Sequence, residues 1–256
     1  MSTNPQDGAA RPTVVLVHGA FADASGWNDV VEQLQAEGVQ ATAPANPLRG
    51  ISIDSAYIAT LLDQIPGPVL AVGHSYGGAV ITNAATKANN VVGLVYVAAF
   101  APDDGEHLID IESDSKDSVL NTALMPLQYP TGQGEETAVE FAIDPAKFHD
   151  AFAADLPAEQ TAVMGATQRP VAELAFSEPS GEPAWKSLPS WAVVATGDKA
   201  AGSDVVRSMA ERAGAMITEV EGSHVIMISQ PQAVTDVIMS ALAAAPQKEQ
   251  EALNPQ

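Results

Sequence analysis

The 256-residue chain contains no cysteine, which excludes disulfides, thiolate nucleophiles and thiolate-bound metals. Basic residues are scarce: 11 Lys and Arg stand against 32 Asp and Glu, a formal charge of −21. A nucleic-acid partner, which needs clustered cations to displace the counterions of phosphates, is therefore not expected. The acidic residues are scattered rather than blocked, as on a soluble, self-repelling surface. Long apolar runs are missing too. The longest, VVGLVYVAAFA at 91–101, is too short to cross a bilayer and reads as a buried strand, so no membrane partner is expected. The opening MSTNPQDGAARP has neither the basic nor the apolar segment of a secretory leader, and residues 1–11 read as the flexible polar tail of a cytoplasmic protein.

What is present is a core-forming composition. Hydrophobic residues make up 46% of the chain, enough for one buried core in a single α/β domain. Short β-branched runs at 13–17, 39–44, 68–73 and 91–97 read as strands. Between them, Trp27, Val30, Val31 and Leu34, then Ile53, Tyr57, Ile58, Leu61 and Ile65, then Val80, Ile81, Ala84 and Ala85 recur at helical spacing. Strands apolar on both faces and joined by helices imply a mostly parallel central sheet with right-handed crossovers and helices on both faces. The rhythm stops at about 101 and resumes near 190. The intervening acidic, Pro/Gly-rich stretch, with helical pieces such as Phe148, Phe152 and Leu156, reads as an inserted helical cap. Strands at 190–197 and 215–222 follow, with a helix through Val205, Val206, Met209, Ala210 and Ala213 between them. The last helix starts at Pro231, with Ser229 and Gln232 spaced as a capping box, and runs through Leu242. The residues at 246–256 read as a second polar tail.

AVGHSYGGAV at 71–80 places Ser75 where a strand ends and a helix begins, between Gly73 and Gly77. A serine on such a turn is pushed into an unfavourable backbone conformation with its hydroxyl exposed, and small neighbours two residues away let strand and helix approach; this is the pattern of a nucleophile elbow. A serine hydroxyl needs a base to take its proton, and that base needs a carboxylate to orient it. Of five histidines, His74 adjoins the serine and points away, His18 closes the first strand, and His107 and His149 lie in the insertion. His224 follows the last strand, at the same sheet edge as Ser75, and is the base by elimination and placement. Asp198, just past the penultimate strand, completes the chain order Ser, Asp, His. Asp103 is the alternative acid, and Asp204 reads as a helix cap. For the developing oxyanion, backbone N–H groups of Tyr76 and of Ala20 in VHGAF are the donors, with Gly19 letting the loop turn in close.

With HGAF, GHSYGG, TGD and GSH in this order, the chain resembles the serine α/β-hydrolase fold family over residues 12–244, and within it the small esterases related to plant methylesterases and hydroxynitrile lyases. The resemblance implies a cofactor-free serine esterase with a Ser75-His224-Asp198 triad, acting on a small or medium uncharged ester under a cap at 101–189. Hydroxynitrile lyases carry a threonine after the first-strand histidine and a lysine beside the catalytic histidine. Gly19 and Val225 stand there, so cyanide lacks a stabilising charge and lyase activity is not expected. Cofactor-free perhydrolysis and C–C cleavage use the same residues and remain alternatives, as does a receptor-like binding module on the same scaffold. Phe21 and Trp27 are the candidate substrate-binding residues, although a Trp at helical spacing, as at Trp27, is more often core. Trp185 and Trp191 read as anchors of the return from cap to sheet, while Phe141, Phe148 and Phe152 either face the substrate or pack the cap.

Overall fold

A computed structural model describes residues 11–245. The two expected polar tails lie outside the described residues except for Arg11, whose guanidinium donates to the Glu37 carbonyl at 3.1 Å. The strands are β1 (Thr13–Val17), β2 (Ala41–Thr42), β3 (Val69–His74), β4 (Val91–Val97), β5 (Leu124–Pro130), β6 (Thr137–Ile143), β7 (Val171–Ala172), β8 (Ser190–Ala195) and β9 (Met216–Val220). Six of them form one sheet in the order β2-β1-β3-β4-β8-β9, with every pair parallel. β3, β4 and β8 are buried along their whole length, which is why their sequences are continuous apolar runs rather than alternating ones. β2 and β9 are the edges. β2 is only two residues long, against the six expected at 39–44, because Pro44 and Pro47 cut the pairing short.

The helices are α1 (Asn28–Ala36), α2 (Ile51–Asp63), α3 (Tyr76–Ala84), α4 (Leu108–Ser113), α5 (Pro145–Phe152), α6 (Ala158–Thr167), α7 (Leu174–Ser177), α8 (Ser203–Arg212), α9 (Ile226–Ser229) and α10 (Pro231–Ala244). α1 packs on α10, and α2 on α3; right-handed crossovers put these two pairs on opposite faces of the sheet. The inward face of α2 differs from the expected one. Ile51, Asp54, Ser55, Ile58, Ala59 and Leu62 are buried, whereas Ile53 and Tyr57 are exposed. Apolar residues occupy both sides of this helix, and the bonds made by Asp54 decide which side turns in. The capping box expected at α10 does not form: Ser229 is spent in the turn of α9, and Gln230 is the N-cap with no side-chain bond. Pro231 does open the helix.

The insertion is not purely helical. Besides α4 to α7 it contains a three-stranded antiparallel sheet, β5-β6-β7. The outer strand, LMPLQYP, carries two prolines and is half exposed with no alternation, so periodicity gives no strand signal there. The cap is seated on the body by short, specific contacts. The Ala172 N–H donates to the Leu48 carbonyl at 3.0 Å, Arg49 pairs with Glu140 at 2.7 Å, and the Glu178 carboxylate accepts the Ser52 N–H at the start of α2 at 2.9 Å.

Candidate active site

Ser75 sits between β3 and α3 with φ 54° and ψ −126°, a left-handed conformation costing a non-glycine residue about 1–3 kcal/mol. The strain is held by neighbours on three sides. The Ser75 N–H donates to the Val97 carbonyl at 3.3 Å, and the Ser75 carbonyl accepts N–H groups from Gly78 at 2.9 Å and Phe100 at 3.2 Å. The tight approach of strand and helix explains the glycines. A Cβ on Gly73 would lie 2.6 Å from the Gly77 carbonyl carbon and the Gly78 nitrogen, backbone atoms that cannot swing aside. Gly73→Ala is therefore expected to cost about 3 kcal/mol, the upper end of overpacking penalties, read as a lower urea midpoint. A midpoint within experimental error of the wild type would show that the elbow can open without loss.

In the strand order, the chain leaves β1 toward β2 but leaves β3 toward β4, so a crevice opens at the carboxyl edge between β1 and β3. Ser75 lies at that edge. Asp198, three residues past β8, and His224, four past β9, arrive at the same edge, and each is only 1% exposed. His224 Nδ1 lies 2.8 Å from Asp198 Oδ2. The second carboxylate oxygen, Oδ1, accepts the N–H groups of Ala200 at 2.9 Å and Ala201 at 3.0 Å. Both oxygens are thus used, and the carboxylate is aimed at the imidazole by its own turn. Asp103 is engaged elsewhere, paired with Lys186 at 2.6 Å, a contact that holds its carboxyl below the usual carboxylate range. Asp204 accepts from Ser115 and Lys116. Asp198, not Asp103, is therefore the carboxylate on His224. The remaining atoms, Ser75 Oγ and His224 Nε2, make no hydrogen bond to each other or to any other described residue.

The backbone N–H groups of Ala20 and Tyr76 also have no partner among the described residues. Behind them, His18 is fully satisfied: Nδ1 lies 2.9 Å from the Gly19 carbonyl, and Nε2 accepts the Asn46 N–H at 2.9 Å. Burial pushes its pKa down. His74 is buried completely, and burial, with the nearby His224, holds its pKa well below the ordinary value. Its Nε2 lies 2.9 Å from the His224 carbonyl, so it braces the loop that carries the second imidazole. His107 bonds to Ser177 and His149 to Thr161, and neither bonds to Ser75, Asp198 or His224.

Phe21 lies against Phe152 and Phe176, with ring centroids 6.2 and 6.4 Å away, and Phe152 also meets the His224 ring at 4.9 Å. Phe21, itself at φ 59°, borders a cavity of about 260 Å³ that Gln160, Met164, Gln168 and Val225 also line. Phe176 borders a second, of about 250 Å³, with Ile109, Leu124 and Phe141. Trp27 is fully buried with its ring edge-on to His74 at 6.3 Å, so it is core rather than a pocket wall. Trp185 donates to the Pro102 carbonyl at 3.1 Å and Trp191 is buried in β8, as anchors would be.

Sequence reasoning missed two carboxylates. Asp155 of the cap accepts the Ser223 N–H at 2.9 Å and the Ser223 hydroxyl. Burial raises its pKa, but these bonds outweigh burial and leave it below the carboxylate range. It thus ties the cap to the residue before His224, and no local pattern marks it. Asp54 is 0% exposed and accepts the Tyr76 hydroxyl at 2.7 Å. Its signal was available: an acid among the apolar residues at helical spacing in α2.

Among proteins of known function, 32% identity over 108 aligned residues, 37% of this chain and 45% of the relative, links the chain to a carbendazim hydrolyzing esterase of Nocardioides sp. (strain SG-4G). The match thus spans less than half of that relative's length. Solved structures with the same fold include polyneuridine aldehyde esterase, at 21% identity and a TM-score of 0.75, covering 90% of this chain and 99% of that one. A pyrethroid hydrolase from Sphingobium faniae JZ-2, at 20% identity and a TM-score of 0.71, covers 91% and 98%. The family model of the alpha/beta hydrolases matches residues 14–237. A parallel sheet with a strained serine at its crevice agrees with that match over most of the chain, which belongs to the alpha/beta hydrolase family.

Proposed function

We propose that the protein hydrolyses small or medium uncharged carboxylic esters through an acyl-enzyme on Ser75. The observation that carries this reading is the buried Asp198–His224 pair, 2.8 Å apart, at the sheet edge that holds a serine at φ 54°. Ser75 Oγ attacks the ester carbonyl while His224 Nε2 takes its proton. Asp198 keeps the Nδ1 proton in place and stabilises the imidazolium. The tetrahedral oxyanion is received by the Ala20 and Tyr76 N–H groups, whose freedom from other partners fits that role. The alcohol departs with the proton held on His224. Water then enters, gives a proton to His224, and releases the carboxylic acid from Ser75 by the same steps in reverse.

The aromatic chain of Phe176, Phe21 and Phe152, whose last ring meets His224, excludes water and favours uncharged groups, and the strongly negative surface disfavours anionic ones. The esterase relatives named above agree with the reaction class. The test is labelling with a fluorophosphonate probe, followed by mapping of the modified residue and by assay of chromogenic short-chain esters. The expected result is one adduct, on Ser75, and turnover that disappears in Ser75→Ala. A ligand-binding module would give binding without turnover, and an adduct on any other residue would overturn the assignment.

A further inference from the structure

Tyr76 does more than present its main chain. Its side chain runs down into the body, where the ring meets Phe176 at 6.3 Å and the hydroxyl donates to Asp54 Oδ2 at 2.7 Å. Asp54 is buried without a cationic partner among the described residues. Its two oxygens instead accept the Arg49 N–H, each at 3.1 Å. The Arg49 side chain crosses to the cap, pairing with Glu140 on β6 at 2.7 Å and lying over the Tyr129 ring of β5 at 4.4 Å. The neighbouring Leu48, at φ 61°, accepts the β7 N–H of Ala172. One buried carboxylate therefore ties the residue after the nucleophile to the loop on which the cap sheet is seated.

We infer that Asp54 is a positioning residue for transition-state stabilisation: by holding the Tyr76 hydroxyl and the Arg49 backbone together, it sets the direction of the Tyr76 N–H toward the oxyanion. This rests on the proposed role of that N–H. The physical reason is geometric. An oxyanion donor acts only if it is aimed before the charge appears, and the N–H of Tyr76 cannot rotate without moving a side chain pinned at its far end. Burying a carboxylate without a countercharge is costly, and the Arg49 N–H needs only one acceptor, so folding alone gives no reason to bring the Tyr76 hydroxyl to Asp54 as well.

The experiment compares Tyr76→Phe, Asp54→Asn and the double variant Asp54→Leu/Tyr76→Phe with the wild type. It measures kcat and KM on a chromogenic ester, inhibition by a boronic acid that mimics the tetrahedral state, and urea midpoints. Tyr76→Phe is expected to lower kcat about tenfold to a hundredfold, below the 10²–10³ of a fully lost donor, with KM within about twofold. Boronate affinity should fall by a similar factor. Asp54→Asn retains groups able to bond both Tyr76 and Arg49 and should keep kcat within about threefold of the wild type. The double variant removes the carboxylate but also the acceptor of the Arg49 N–H, so it should regain only part of the urea midpoint lost in Tyr76→Phe, and none of the kcat. If kcat returns with the midpoint, or if Tyr76→Phe leaves kcat unchanged, Asp54 is structural and the inference is overturned. If the wild type turns over no ester, the reading of Ser75 fails and this inference falls with it, whereas wild-type turnover with an indifferent Tyr76→Phe defeats the inference alone.

Discussion

Replacement of Ser75, of His224, or of both together by alanine is expected to lower kcat for a short-chain ester by nearly the same factor, on the order of 10⁶. In the proposed mechanism the two side chains act on one proton. Without the imidazole the hydroxyl is not deprotonated, and without the hydroxyl the imidazole has nothing to activate, so the second substitution removes nothing that the first has left. Asp198→Asn should cost less, on the order of 10⁴. The asparagine carbonyl can still accept the N–H groups of Ala200 and Ala201 now held by Oδ1. Its amide would then face His224 Nδ1 as a donor, stabilising the tautomer that carries its proton on Nε2 and cannot accept one from Ser75. Steady-state assays of the single and double variants, with circular dichroism to show that each is folded, check this. Multiplicative losses in the Ser75/His224 double variant would mean that the two residues work independently and would break the triad.

Folding stability is expected to fall as the solution is acidified below pH 6.5. Burial holds His18 and His74 neutral in the folded protein, with folded pKa values below the ordinary 6.5. In the unfolded chain both titrate normally, so below 6.5 the unfolded state binds more protons and gains, at about 1.4 kcal/mol per pH unit for each histidine. The contribution is complete above pH 6.5 and declines as pH falls, until each folded pKa is reached. The structure shows why protonation is resisted. A proton on His18 Nε2 would confront the Asn46 N–H that this nitrogen now accepts, with the Arg169 guanidinium 3.4 Å away. A proton on His74 Nδ1 would find no acceptor, since that atom is buried and unpartnered. Asp54 works in the opposite direction at lower pH, because burial raises its pKa and its protonation favours the folded form. Urea unfolding at a series of pH values, with His74→Gln as the comparison, reads the slope. His74→Gln should make the slope shallower, and a flat profile just below pH 6.5 would refute the argument.

The two acids Asp198 and Asp103 show where sequence reading stops. Each follows a strand of the central sheet at the carboxyl edge, and chain position alone favours Asp198 only through the order Ser, Asp, His. What separates them is the conformation of two loops. The turn after β8 folds back so that Ala200 and Ala201 grip one oxygen of Asp198 and aim the other at His224. The loop after β4 carries Asp103 outward to Lys186. α2 shows a similar limit: apolar residues lie on two sides, and the expected face through Ile53 and Tyr57 is exposed, while the side that carries Asp54, bonded to Tyr76, turns in. The limit applied again to the cap, where a proline-bearing edge strand has no period to detect.

The sequence by itself determined the alternation of strands and helices, the parallel sheet and the place of the elbow at a strand-to-helix junction. These are consequences of local periodicity and of glycines that must sit where backbones touch, properties a linear chain displays directly. Only the tertiary structure decided which carboxylate meets His224, that Trp27 is core, that the cap carries a sheet, and that Asp54 and Asp155 tie Tyr76 and Ser223 to their surroundings. Those pairings join residues 22 to 68 positions apart, and nothing in the spacing of a chain specifies a contact made by two loops after they have folded.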